Sequence, residues 1–167
     1  MKNIYRGALL ITIALTGCAG SKLPISQPAN DVSQARIDAV QEKMTSCISE
    51  VNSTEDAKYV DAHIIALIPN SPNAKELFNS SNKISSDQAV VLKRYEEVAL
   101  KCRTIANDLP TPALVGVYTT FYEKIDAVYA DLISKRITIG VANQERAMRI
   151  QYARSRWAEI VKTPKGG

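Results

Sequence analysis

The sequence predicts an all-α fold, an antiparallel bundle of four to five helices. Two observations carry that prediction. Apolar residues recur at alternating three- and four-residue spacings over most of the chain beyond residue 30, and almost no stretch alternates as a strand does. Helix-start residues also stand where the stripes begin: Thr54 before two acids, Ser85 three residues before Gln88, and Thr111 before Pro112.

The first helix is expected from about Asp31 to Val51, with Ile37, Val40, Met44, Cys47 and Val51 on one face at 3-4-3-4 spacing. The second runs from about Glu55 to Ile68. It opens on acids that suit the helix dipole, carries Val60, Ile64 and Leu67 on its face, and stops at Pro69. Residues 70–85 are rich in Asn and Ser and read as a mobile loop, with Pro72 placed to start one short helix through Phe78. Ser85 and Gln88 form a capping box in which side chains and free backbone N–H groups satisfy each other. The helix beyond, to about Asn107, is striped by Val91, Tyr95, Val98, Cys102 and Ile105. Thr111 caps the next helix, and Pro112 opens it at no cost because its missing N–H has no intrahelical partner there. That helix carries Leu114, Tyr118, Phe121, Ile125, Val128 and Leu132 at 4-3-4-3-4 spacing. The chain then turns around Ile137 to Gly140, with Thr138 as cap. The last helix puts Ile150, Ala153, Trp157 and Ile160 on one side. Seams of this period pack as antiparallel neighbours.

Ahead of these helices, Lys2 and Arg6 precede an uncharged run from Ala8 to Leu15, about half of the ~20 residues that span a bilayer. Such a run suits the apolar region of a signal peptide. The tetrapeptide Leu15-Thr16-Gly17-Cys18 that ends it resembles the lipobox of bacterial lipoproteins. The resemblance implies cleavage before Cys18, diacylation of its sulfur and acylation of the new amino group, which together anchor a protein stably. Ala19 rather than Asp after the cysteine implies sorting to the outer membrane, facing the periplasm, with the inner membrane as the lesser expectation. The organisation is then a signal peptide over 1–17, an acylated cysteine and flexible tether over 18–30, a helical domain over 31–161 and a tail over 162–167. The tether reading rests on Gly20, Pro24, Pro28 and two serines. The stretch LISKRITIGVANQER loosely resembles a helical hairpin of uncharacterised bacterial envelope proteins, a likeness that carries no activity.

Removing residues 1–17 from the 167 leaves 150, enough for one domain with a real core. The net charge of +4 includes Lys2 and Arg6, so the mature chain carries +2, a balance that does not indicate a nucleic-acid binder. Beyond the lipobox, Cys47 and Cys102 remain. Both fall on apolar stripes, and an oxidising compartment lets them pair, against the alternative of two buried thiols. With no CxxC and a single histidine, His63, zinc and thiol-redox chemistry are not indicated. Asn52-Ser53-Thr54 and Asn79-Ser80-Ser81 match the glycosylation sequon and read as plain polar loop.

His63 lies at the edge of an apolar face, without a recognisable nucleophile motif to serve, and reads as a boundary residue. Tyr122 and Tyr129 fall a heptad apart beside the core seam. They form either an interface stripe or a core lining with hydroxyls at its edge. From Lys135 onward eight bases face two acids, and from Asp31 to Ala62 seven acids face three bases, so the regions carry +6 and −4. Either the first and last helices lie side by side, or a basic last helix bearing Arg149 and Arg156 meets anionic lipid or an acidic partner. Arg146 points with Ile150 and Trp157 toward the core, level with Tyr129, and needs an acid such as Asp126 or Asp131. Its alternative is snorkelling at the bundle end.

The sequence shows no paired-carboxylate motif, phosphate-cradling glycine loop or metal spacing, and no cofactor, nucleic acid or small-molecule substrate is evident. The expectation is therefore not an enzyme. It is a lipid-anchored periplasmic scaffold or protein-binding component of the cell envelope, with an inhibitor or immunity protein against a cell-wall hydrolase or toxin as the alternative.

Overall fold

The computed structural model describes residues 29–68 and 70–162. The expected signal peptide, the lipidated Cys18, the tether up to residue 28 and the tail from 163 lie outside the described residues. Six α-helices and one 3-10 turn follow in order: α1 (Ala29–Asn52), α2 (Glu55–His63), α3 (Ala74–Phe78), α4 (Ser86–Arg103), the 3-10 turn (Thr104–Asp108), α5 (Pro112–Ile133) and α6 (Ile139–Lys162). No strand occurs among the described residues. The fold is an all-α antiparallel bundle built on the four long helices α1, α4, α5 and α6.

The start signals act as the sequence predicts. Thr54 Oγ1 accepts from the Ala57 N–H at 3.3 Å, Ser85 and Gln88 close their capping box, and Thr111 Oγ1 accepts from the Leu114 N–H at 3.3 Å. Thr138 Oγ1 accepts from the Val141 N–H, so Gly140 stands in the first turn of α6 rather than in the preceding turn. Between α5 and α6, Lys135 takes a left-handed backbone conformation at φ 60°, and the Arg136 N–H donates back to the Asp131 carbonyl. That is the hydrogen bond of a Schellman close.

The core forms two clusters. The larger holds Val51, Val60, Ile64, Ile65, Leu92 and Leu132 with their neighbours, and the smaller joins Ile37, Val40 and Met44 of α1 to Leu109, Leu114 and Trp157. Cys47 and Cys102 are bonded, which ties α1 to α4 at a Cα–Cα distance of 5.7 Å.

Three expectations are corrected. The buried residues of α4 are Leu92, Tyr95 and Cys102, with Val91 and Ala99 packed beside them; of the expected stripe Val98 is exposed, and the 3-10 turn beyond buries Ala106 with Ile105 beside it. α2 ends at His63, five residues earlier than expected, while Ile64 and Ile65 remain fully buried. Its helical bonds are replaced by side chains: Asp61 accepts from the Leu67 and Ile68 N–H groups, and Asn143 of α6 accepts from Ala66 N–H and donates to the Ile64 carbonyl. Residues 70–85 are anchored rather than loose. Leu77 and Ile84 are buried, the Gly140 and Ile139 N–H groups donate to the Ser80 and Asn82 carbonyls, and Asn73 Nδ2 donates to the Ala62 carbonyl. Gly140 permits this approach, since a Cβ there would lie 2.5 Å from the Ser80 oxygen.

Candidate functional site

Helix α6 has two working faces, and both were only partly legible in advance. Its inner face looks across a cleft of about 550 Å³ toward α1. Met44, Thr45, Ile48 and Asn52 of α1 form one wall, and Arg146 and Arg154 of α6 the other. The floor comes from Tyr95, Glu96 and Ala99 of α4 and from Tyr118, Phe121, Tyr122 and Ile125 of α5. Tyr118, Phe121 and Arg154 continue into a second compartment of about 260 Å³, which Gln41, Ile150, Ala153 and Trp157 complete. Trp157 closes that end with its ring edge-on to Tyr118 at 5.6 Å. The gap exists because the first and last long helices do not zip together. No ion pair joins α1 to α6 among the described residues, where the two helices meet through Trp157 and Ile160 packed on the cluster of Ile37, Val40 and Met44.

The charged groups of the cleft are unevenly provided for. Arg103 binds Asp126 through two bonds of 2.6 and 2.7 Å and lies 4.8 Å from the Tyr122 ring centre, a charge-assisted fork stacked on an aromatic face. Glu96 accepts no hydrogen bond. Burial, reinforced by the nearby Asp126 carboxylate, pushes its carboxyl up to about 7, and Arg103 only partly opposes this. Asn52 Oδ1 is buried without a donor. Burial raises the hydroxyls of Tyr95, Tyr118, Tyr122 and Tyr129, so all four are neutral donors at pH 7.

Arg146 departs from expectation in an informative way. It reaches the cleft as predicted, but neither proposed acid meets it, because Asp126 is held by Arg103 and Asp131 by Arg136. Instead one guanidinium nitrogen donates to the Ala66 carbonyl at 2.9 Å, and the group also reaches the Tyr129 hydroxyl. Tyr129 is only 4% exposed, so it belongs to the core lining and not to an interaction surface. Tyr122 is half-buried in the cleft floor.

The outer face of α6 carries the other two predicted arginines. Arg149 and Arg156 flank a groove of about 420 Å³ between α5 and α6, with Lys124 on the α5 side and Val117 and Phe121 beneath. A Cβ added at Gly116 would meet nothing within 4 Å, so this floor is open to solvent. Arg149 is paired with Glu145 at 2.6 Å and Arg156 with Glu159, both within their own helix. Tyr152 stands in the same groove, 61% exposed, near Met148 at 50%. The five residues singled out as a possible interaction surface, Tyr122, Tyr129, Arg146, Arg149 and Arg156, are thus divided between a cleft, a core and an outer groove.

His63 is exposed with its ring 4.7 Å from that of Tyr59. No group of three or more metal-ligating side chains occurs among the described residues, and no helix among them is long and apolar enough to cross a membrane. Sequence reasoning missed Glu96, Arg103, Asn143 and Tyr152. Asn143 could have been found, because it lies in phase with Ile139, Arg146 and Ile150. Arg103 and Asp126 are 23 residues apart with no local signal to join them. Comparison with protein-family models, curated proteins and solved structures finds no match.

Proposed function

We propose that the protein is a lipid-anchored component of the bacterial cell envelope, held at the outer membrane through Cys18, that binds another envelope protein through the outer face of α6. The observation that carries the binding reading is the exposure of Tyr152 and its helical neighbour Met148 at a groove walled by Lys124, Arg149 and Arg156. Tyrosine, methionine and arginine around an apolar floor are the composition of protein interfaces, and they are not needed there to hold α6 to α5. The lipobox resemblance of Leu15 to Cys18 supports the anchor, and the apolar run before it is too short to span a bilayer.

The test is a photo-cross-linking residue placed in intact cells at the exposed position 155, one turn beyond Tyr152 on the same face of α6. A single stoichiometric partner is expected, lost when Tyr152 and Met148 are both changed to Asp and retained when the exposed Leu100 of α4 is changed instead. Equal capture from both faces, or none, overturns the reading. A captured muramidase, amidase or toxin makes the protein an inhibitor or immunity factor. The anchor is tested separately, since Cys18→Ser should release the protein from membranes.

A further inference from the structure

Among the described residues Arg146 has only neutral partners, a backbone carbonyl and a phenol, although it is half-buried among aromatic side chains. A guanidinium withdrawn from water without a carboxylate carries an uncompensated desolvation cost. Two of its contacts are fixed by Ala66 and Tyr129, and most of its donors remain to form a fork. The rest of the lining is mostly aromatic and aliphatic, with Thr45, Asn52, Glu96 and the tyrosine hydroxyls as its polar points, and the cleft continues past Tyr118 to Trp157, with Arg154 shared by both compartments. We infer that this cleft binds a single-chain amphiphile bearing a carboxylate, its head on Arg146 and its hydrocarbon chain laid along Phe121 and Tyr118 toward Trp157.

A hydrocarbon suits the channel better than a peptide strand. Each peptide residue brings a donor and an acceptor that need partners, and in the second compartment only Gln41 and Tyr118 can accept a hydrogen bond through a side chain, while Arg154 and Trp157 can only donate. A methylene chain requires none, and each buried CH₂ contributes about 0.8 kcal/mol. The α1 wall supplies Met44 and Ile48, both able to pack on such a chain. The site is separate from the outer groove of α6, so it stands or falls independently of the protein-binding reading.

Glu96 makes the site pH-sensitive. Around its carboxyl lie Lys93 and Arg103 on α4 and Asp126 and Tyr129 on α5, and Tyr122 of α5, Arg146 of α6 and the uncharged Thr45 and Asn52 of α1 line the same cleft. With its carboxyl raised to about 7, Glu96 gains charge as the pH climbs through neutrality and then repels a carboxylate on Arg146. Affinity for the anion should therefore fall between about pH 6 and about pH 8.

The experiment is calorimetric titration of the full mature chain carrying Cys18→Ser, so that no covalent acyl chain competes, with dodecanoate and, in parallel, dodecanol. Saturable one-site binding of dodecanoate is expected, with dodecanol weaker by about tenfold or more because it cannot use the charged fork. Arg146→Gln should lose about the same factor and Arg146→Lys should recover part of it. Ala99→Leu, which fills the floor without touching the guanidinium, should block binding. Glu96→Gln should flatten the pH dependence. Absence of saturable binding, or equal affinity for the acid and the alcohol, overturns the inference on the unaltered cleft, whatever the folding of the variants. Unchanged affinity in a folded Arg146→Gln protein overturns it too, and a wild-type affinity constant across that pH range overturns the part given to Glu96.

Discussion

Asn143, 2% exposed, spends its side chain on three backbone groups. Its oxygen accepts from the Ala66 N–H at 2.8 Å, and its amide donates to the carbonyls of Ile64 at 2.8 Å and Ile139 at 2.9 Å. It is therefore the residue that lets α2 stop while Ile64 and Ile65 stay in the core. Asn143→Ala strands the Ala66 donor and the Ile64 acceptor in a buried place, and should cost about 2–4 kcal/mol in urea unfolding. A loss below about 1 kcal/mol would mean that water or backbone rearrangement serves those groups instead. At this scale the sequence spoke clearly where a side chain is amphipathic by position and poorly where its partner is remote. Arg146 could be placed at the core because it shares a stripe with Ile150 and Trp157. Its partners could not, because nothing local marks Ala66 as a carbonyl released from a helix.

Elements were legible where their signals are local. The Ser85 capping box and the Thr111-Pro112 start depend on residues within one turn of each other, and both formed. The α4 stripe was read correctly at Tyr95 and Cys102 and missed at Val98, for a physical reason. Val98 and Ile105 carry more hydrophobic weight than Ala99 and Ala106, yet the alanines sit where α1 comes close enough for a disulfide. Small residues mark close approach, which a count of large apolar side chains overlooks. Gly140 makes the same point at the start of α6. An added methyl would lie 2.5 Å from the Ser80 oxygen, a backbone atom that cannot swing aside, so Gly140→Ala should destabilise by about 1–3 kcal/mol despite the better helix propensity of alanine. A rise in the thermal midpoint instead would show that α3 and α6 can separate freely.

Across the whole molecule, the number of long helices and their antiparallel order followed from period and turns. The open seam between α1 and α6 did not, because a helical stripe says which side is apolar and not how far apart two such sides stand. The bridge between Cys47 and Cys102 holds the α1 wall of that seam against α4, while α6 is carried by its hairpin with α5. The bridge encloses a sequence separation of 55 residues, for which chain-entropy arguments give roughly 4 kcal/mol. Replacing both cysteines by alanine should lower the unfolding free energy by about that amount in denaturant titration, and an unchanged midpoint would show that the loop is already ordered in the unfolded ensemble. The bridge also has a mechanical consequence for a tethered protein. If the chain is anchored through Cys18 as proposed, tension enters at the start of α1 and can peel that helix only as far as Cys47, after which the load passes through the sulfurs into α4. The peeled turns, residues 29–46, would lengthen from about 27 Å as helix to roughly 60 Å when fully extended, so the domain can yield like a short elastic leash while its remaining helices stay folded.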